Sequence, residues 1–135
     1  MPIDWKRLPE AAVLPLGNLR VEDLRNQCLA HGQRWLHADC RKARSKSGVM
    51  SALAKGLHLP AHFGANLDAL YDCVTDLEPT QGAAQAGLVI VIENLPTTRG
   101  FGPDEQAALL EVFEDAAADF AARSIALRVF HSMAA

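Results

Sequence analysis

Asp68, Asp72 and Asp76 recur every four residues in NLDALYDCVTDL (66–77), and Glu111, Asp115 and Asp119 repeat the interval further along the chain. Residues four apart share one face of a helix, so each trio would form a ridge of carboxylates. Such ridges can hold a divalent cation, supply an acid and a base, or meet cations on another molecule. Helix stability does not select them. Like charges at this spacing repel by roughly 0.2–0.5 kcal/mol per pair, and Asp is a mediocre helix former. The dipole of the first helix favours Asp68 in its first turn but opposes Asp76 at its negative end, where a base is expected. No Lys or Arg lies between 101 and 122 to pair locally with the second ridge, which Glu114 flanks.

The first two uses find little further support. Asp68, Asp72 and His62 could offer three metal ligands, yet oxygen-rich sites gather more. The five histidines (His31, His37, His58, His62, His131) show no H-E-x-x-H motif, and Pro60 between His58 and His62 keeps that pair off a common helix face. Glycoside cleavage needs two carboxylates set across a cleft, and a chain of 135 residues offers no evident pocket for a sugar. Cys28, Cys40 and Cys73 form no C-x-x-C, and Cys73 falls on the inner side of its helix, so these thiols read as buried or half-buried packing residues. No metal and no cofactor is implied. A small metal-dependent hydrolase using the acidic cluster is kept as an alternative.

Charge is distributed unevenly. Residues 1–55 carry ten Lys/Arg against five acids, or +5, whereas residues 56–122 carry Arg99 against eleven acids, or -10; Arg123 and Arg128 bring the total to -3. A field of that sign suits a basic protein partner and disfavours direct binding of nucleic acid. The basic stretch RKARSKS (41–47) reads as a solvated loop. With 50% hydrophobic and 21% charged residues, the chain has the make-up of one globular domain, monomeric when free. It contains no apolar run of about 18 residues and begins with acids and prolines, so a cytoplasmic protein is expected.

The elements that must position the ridges follow from apolar spacing. A Pro-containing arm that includes Trp5 leads to a helix over 20–31, with Val21, Leu24, Cys28 and Leu29 on its stripe and Gly32 as its left-handed end. QRWLHADC (33–40) predicts a strand, and a helix from about Ser47 carries Met50, Leu53, Ala54 and Leu57 until Gly56 and Pro60 stop it. In the turn AHFGAN, Gly64 would supply backbone freedom and Asn66 would cap the helix bearing the first ridge. LVIVIEN (88–94) has the unbroken apolar character of a strand buried on both faces. Pro103, Asp104 and Glu105 open a long helix to about Arg123, with Leu109, Leu110, Phe113, Ala117, Phe120 and Ala121 inward. SIALRVFH (124–131) alternates as a strand, with Arg128 on the side opposite Ile125, Leu127 and Val129. The expected fold class is α/β, a three-stranded parallel sheet packed with helices.

LPAHFGANLDALYDCVTDL (59–77) resembles the signature of the barstar family of intracellular ribonuclease inhibitors: Leu-Pro, an aromatic-glycine turn, Asn-Leu-Asp-Ala-Leu, an aromatic, then Asp-Cys. The likeness continues through 88–94 and LLEVFEDAA (109–117), covering roughly residues 33–131. Within a single domain over 1–135, residues 1–32 would then be an added arm and helix. The resemblance implies that the chain is not an enzyme but binds a basic secreted-type ribonuclease, whose phosphate sites its carboxylates occupy. Asp68 and Asp72 match the two helix carboxylates, Asp72 being the dominant one, and Asp115 stands for a Glu of the later helix. His62 and Tyr71 stand where the family has an interface tyrosine and tryptophan, and Asp76 replaces a glycine at the rim. Asn66 and Thr75 complete the implied partner-binding set. An interaction module of the same fold with a partner other than a ribonuclease is the remaining alternative.

Overall fold

LVIVIEN is too apolar to face water on either side, and it lies inside a sheet. The computed structural model describes residues 3–60, 63–80 and 85–135. In it, β3 (Gly87–Leu95) runs between β2 (Arg34–Asp39) and β4 (Ala126–Met133), parallel to both. Leu88 to Ile92 are fully buried, as a strand covered on both faces must be.

Among the described residues the sheet has four strands, not three. β1 (Ala11–Pro15), from the expected arm, pairs in parallel with β4, Ala11 opposite Leu127 and Pro15 opposite His131, giving the order β1-β4-β3-β2. AAVLP hides this in its composition: Val13 is its one β-branched residue, and Pro9 and Pro15 bracket it. Proline is tolerated because β1 is an edge strand. β4 thereby becomes interior and continues to Met133, past the expected end at His131.

Two apolar layers cover the sheet. On one face α2 (Lys46–Gly56), α3 (Leu67–Thr75) and α4 (Pro103–Ala122) enclose Leu36, Ile90, Leu127 and Val129. On the other, α1 (Val21–Ala30) and the N-terminal arm set Leu24, Cys28, Leu16 and Trp5 against Val89, Val91 and Phe130. Arg128 lies, as its spacing predicts, on the face of β4 opposite Leu127 and Val129, and this second layer buries it. Its side of β4 is covered: Arg128 is 4% exposed, and its guanidinium carbon lies 4.4 Å from the centroid of the Trp5 ring. Burial works against its charge, and Glu10 partly compensates.

The helix ends are set locally. α2 starts at Lys46, one residue before the expected Ser47, and Ser45 caps it by accepting a 3.2 Å bond from the Gly48 amide. Gly32 follows α1 with a φ of +66°, as expected. In the turn before α3 the left-handed residue is Ala65 (φ 52°) and not Gly64. Leu29 of α1 is 55% exposed, because the helix meets the sheet through Leu24 and Cys28 and the next residue points away. In α4, Val112 and Ala116 join the buried face while Ala121 is exposed. Among the described residues no helix is long and apolar enough to cross a membrane.

Candidate partner-binding site

The site is built on α3, whose start is fixed by Asn66. The Asn66 Oδ1 accepts a 2.8 Å hydrogen bond from the Ala69 amide, satisfying one of the free donors at the helix start. Leu70 and Val74, four residues apart, are fully buried and anchor the helix on α4 and the sheet. Each such side chain contributes roughly 1.5–3 kcal/mol by leaving water. With that face committed to the core, Asp68, Asp72 and Asp76 are all exposed. Asp76 is not in the helix body but is its C-cap, its amide bonded to the Asp72 carbonyl at 3.2 Å.

The neighbouring residues take different parts. Tyr71 is half-buried against the main core. The Thr75 hydroxyl turns back to donate to the carbonyls of Tyr71 (2.9 Å) and Asp72 (3.2 Å), while its own carbonyl accepts from Arg123 Nη2 at 3.0 Å. Thr75 is thus engaged within the molecule at both groups. Asp115 stands exposed on α4. His62 lies outside the described residues.

Packing of α3 on α4 leaves a groove of about 440 Å³ lined by Leu67, Asp68, Tyr71, Asp72, Val112 and Asp115. Four of the residues singled out in the sequence therefore meet at one place. On the other flank of α3 a second concavity, of about 530 Å³, is bordered by Asp72, Asp76, Glu78, Phe63, His58 and Arg34. Asp72 lines both, on the ridge between them. Arg34, His58 and Glu78 had no signal in the sequence, because Arg34 begins β2 and reaches the far end of α3 only through the fold. Its Nη1 donates to the Glu78 carbonyl at 2.8 Å.

Ion pairing divides the acids. Among the described residues, none of Asp68, Asp72, Asp76, Glu111, Glu114 or Asp115 has a cationic nitrogen within 4.0 Å. Asp119 differs: Arg123, one residue beyond the stretch that lacks bases, pairs with it at 2.7 Å. The unpaired carboxylates sit on two packed helices, so a cation arriving from outside would meet them already in place.

The thiols have other surroundings. Burial raises the Cys73 pKa, helped by the charges of Asp76 and Asp72; burial takes Cys28 to about 12 and Cys40 to about 11. All three are held away from the thiolate form that a nucleophile needs. Among the described residues, no three His, Cys, Asp or Glu side chains converge as metal ligands. Compared with known families, residues 33–132 match the model described as Barstar (barnase inhibitor). The match begins after α1, so β1 and α1 lie outside it.

Proposed function

The chain belongs to the barstar family, and from that premise we propose that it is an inhibitor which plugs the active site of a basic ribonuclease of the barnase type. One observation carries this reading: Asp68, Tyr71, Asp72 and Asp115 line a single groove, and its three carboxylates are exposed and unpaired among the described residues. A ribonuclease must hold phosphate with Arg, Lys and His. A carboxylate presented on a rigid helix offers those groups two oxygens in place of phosphate oxygens, in charge-assisted and often bidentate bonds. The repulsion along α3 is relieved when such cations arrive. Since the helices are already formed, little ordering entropy is lost on binding.

Within this scheme Asp72, on the ridge between the two concavities, is the carboxylate that enters deepest. Asp68 and Asp115 flank it, Tyr71 supplies apolar contact, and Asp76 adds charge at the rim. Asn66 acts by fixing the start of the helix, and Thr75 by holding its last turn.

The experiment is a steady-state assay of RNA cleavage by a basic, guanyl-preferring ribonuclease with increasing amounts of the purified protein. Activity should fall stoichiometrically, and a mononucleotide 3′-phosphate held in the enzyme's active site should slow the inhibition. Tight binding without loss of cleavage would move the contact away from the active site. Absence of both binding and inhibition across several such ribonucleases would favour an interaction module with a different partner.

A further inference from the structure

The acidic groove is not the only surface whose charges find no partner among the described residues of the chain. At the carboxyl end of the sheet the loop from Arg41 to Lys46 contains four bases and no acid, and Arg99 lies in the loop beside it. Arg41 leans on Asp39 at 3.9 Å. Lys42, Arg44, Lys46 and Arg99 are exposed and have no carboxylate within 4.0 Å among the described residues.

The two loops are stitched into one platform. The Thr98 hydroxyl donates to the Arg44 carbonyl at 2.6 Å, the Lys46 amide donates to the Gly100 carbonyl at 3.1 Å, and Ser45 bridges Gly100. Gly100 is needed for this approach, since a Cβ there would lie 2.8 Å from the Arg44 carbonyl. Beside the platform is a concavity of about 430 Å³ bordered by Arg41, Arg44, Asn94 and Thr97.

We infer that this platform docks the α3–α4 acidic groove of a second copy of the chain, so that the free protein associates with itself through the same carboxylates that meet the ribonuclease. The inference rests on the inhibitor reading for its consequence, which is that self-association masks the inhibitory face until dilution, salt or the enzyme displaces it. Charge complementarity selects the occupant. The chain's own acidic groove is unpaired in the same way among the described residues, where no ion pair joins it to the platform within one molecule. A nucleic acid fits less well. Asp39 and Glu93, opposite each other where β2 ends beside Arg41, and Asp104 and Glu105, which share a concavity with Lys46, border the platform, so an extended phosphate backbone would run onto carboxylates, and the one aromatic residue of these loops, Phe101, is buried and unable to stack on bases. A short helical ridge of carboxylates meets the bases without spanning those borders. Contacts of this kind are screened by salt.

Sedimentation equilibrium without any ribonuclease tests the inference, using two surface variants whose folding is checked by circular dichroism. One reverses the platform (Lys42→Glu, Arg44→Glu, Arg99→Glu); the other reverses the groove (Asp68→Lys, Asp72→Lys). At about 0.02 M salt the native chain should exceed the monomer mass as concentration rises, and it should return to monomer at about 0.5 M. Each variant alone should stay monomeric, and an equimolar mixture of the two should recover a one-to-one complex. A native chain that is monomeric at low salt overturns the inference, as does failure of the mixture to recombine. Binding of a labelled single-stranded RNA by the monomeric native chain, lost on platform reversal, would assign the platform to nucleic acid instead. None of these outcomes depends on inhibition, so the inhibitor reading stands or falls separately.

Discussion

α3 and α4 carry the same motif, acids repeated every four residues, and the fold treats them differently. On α4 the last acid of the row, Asp119, is closed off by Arg123, which also reaches across to the Thr75 carbonyl and ties the end of α3 to α4. On α3 no base lies within 4.0 Å of Asp68, Asp72 or Asp76 among the described residues. Asp119, with its own cation, serves the fold, while Glu111 and Asp115 of the same row have none within 4.0 Å among the described residues. A ridge without one is held ready, at a cost in self-repulsion, for cations from elsewhere. Spacing alone does not separate the two cases, whereas the position of one arginine does.

That contrast can be broken most severely at Asp72. Replacing it with Asn should weaken ribonuclease binding by about 2–5 kcal/mol, a range for such charge pairs to which complexes of this family themselves contributed. The melting temperature should hold or rise slightly as like charges are removed. Calorimetric titration and thermal melts on one sample read both. The turn before α3 tests whether stability and binding are separable. Ala65 has a φ of 52°, which glycine adopts without strain. Ala65→Gly should therefore stabilise the fold by up to about 1 kcal/mol in urea unfolding and leave inhibition unchanged. At Asp119 the pattern should reverse: Asp119→Asn removes a surface pair and costs roughly 0.3–1 kcal/mol of stability, with inhibition altered less than about twofold.

The smallest effect concerns pH. His131 of β4 lies near Glu114 of α4, and burial lowers its pKa below the ordinary histidine value of 6.5 despite that carboxylate. Its neutral form is favoured in the fold. The corresponding stability is complete above pH 6.5 and is lost as pH falls towards the depressed native value. Unfolding free energies measured between pH 7 and 5 should decline, and His131→Gln should flatten the decline.

Much of this was legible beforehand. The Asn66 cap, the buried run 88–94 and the Pro103 start each rest on a local rule, and each holds in the structure. The groove was legible in part: spacing placed Asp68, Asp72 and Asp115 on exposed faces, but only the packing of α3 on α4 brings them together with Tyr71. What sequence could not supply was distant in the chain or masked by composition. β1 is short and proline-bracketed, so its pairing with β4 had no signal. The alternation put Arg128 on the face opposite Leu127 and Val129, but not its burial, because the layer that covers it comes from the chain's other end. Arg34 meets Glu78 across a separation of 44 residues, with no periodicity to announce it.

The central claim is that the carboxylates of α3, which have no base of their own chain within 4.0 Å among the described residues, are what a cationic ribonuclease meets first. Stopped-flow association rates across salt concentration test it most directly. Diluted until it is monomeric, the native chain should associate more than about tenfold faster at 0.05 M salt than at 0.5 M, and Asp68→Asn/Asp72→Asn should lose most of that dependence. A native rate indifferent to salt, or a double variant with an unchanged salt profile, would contradict the account.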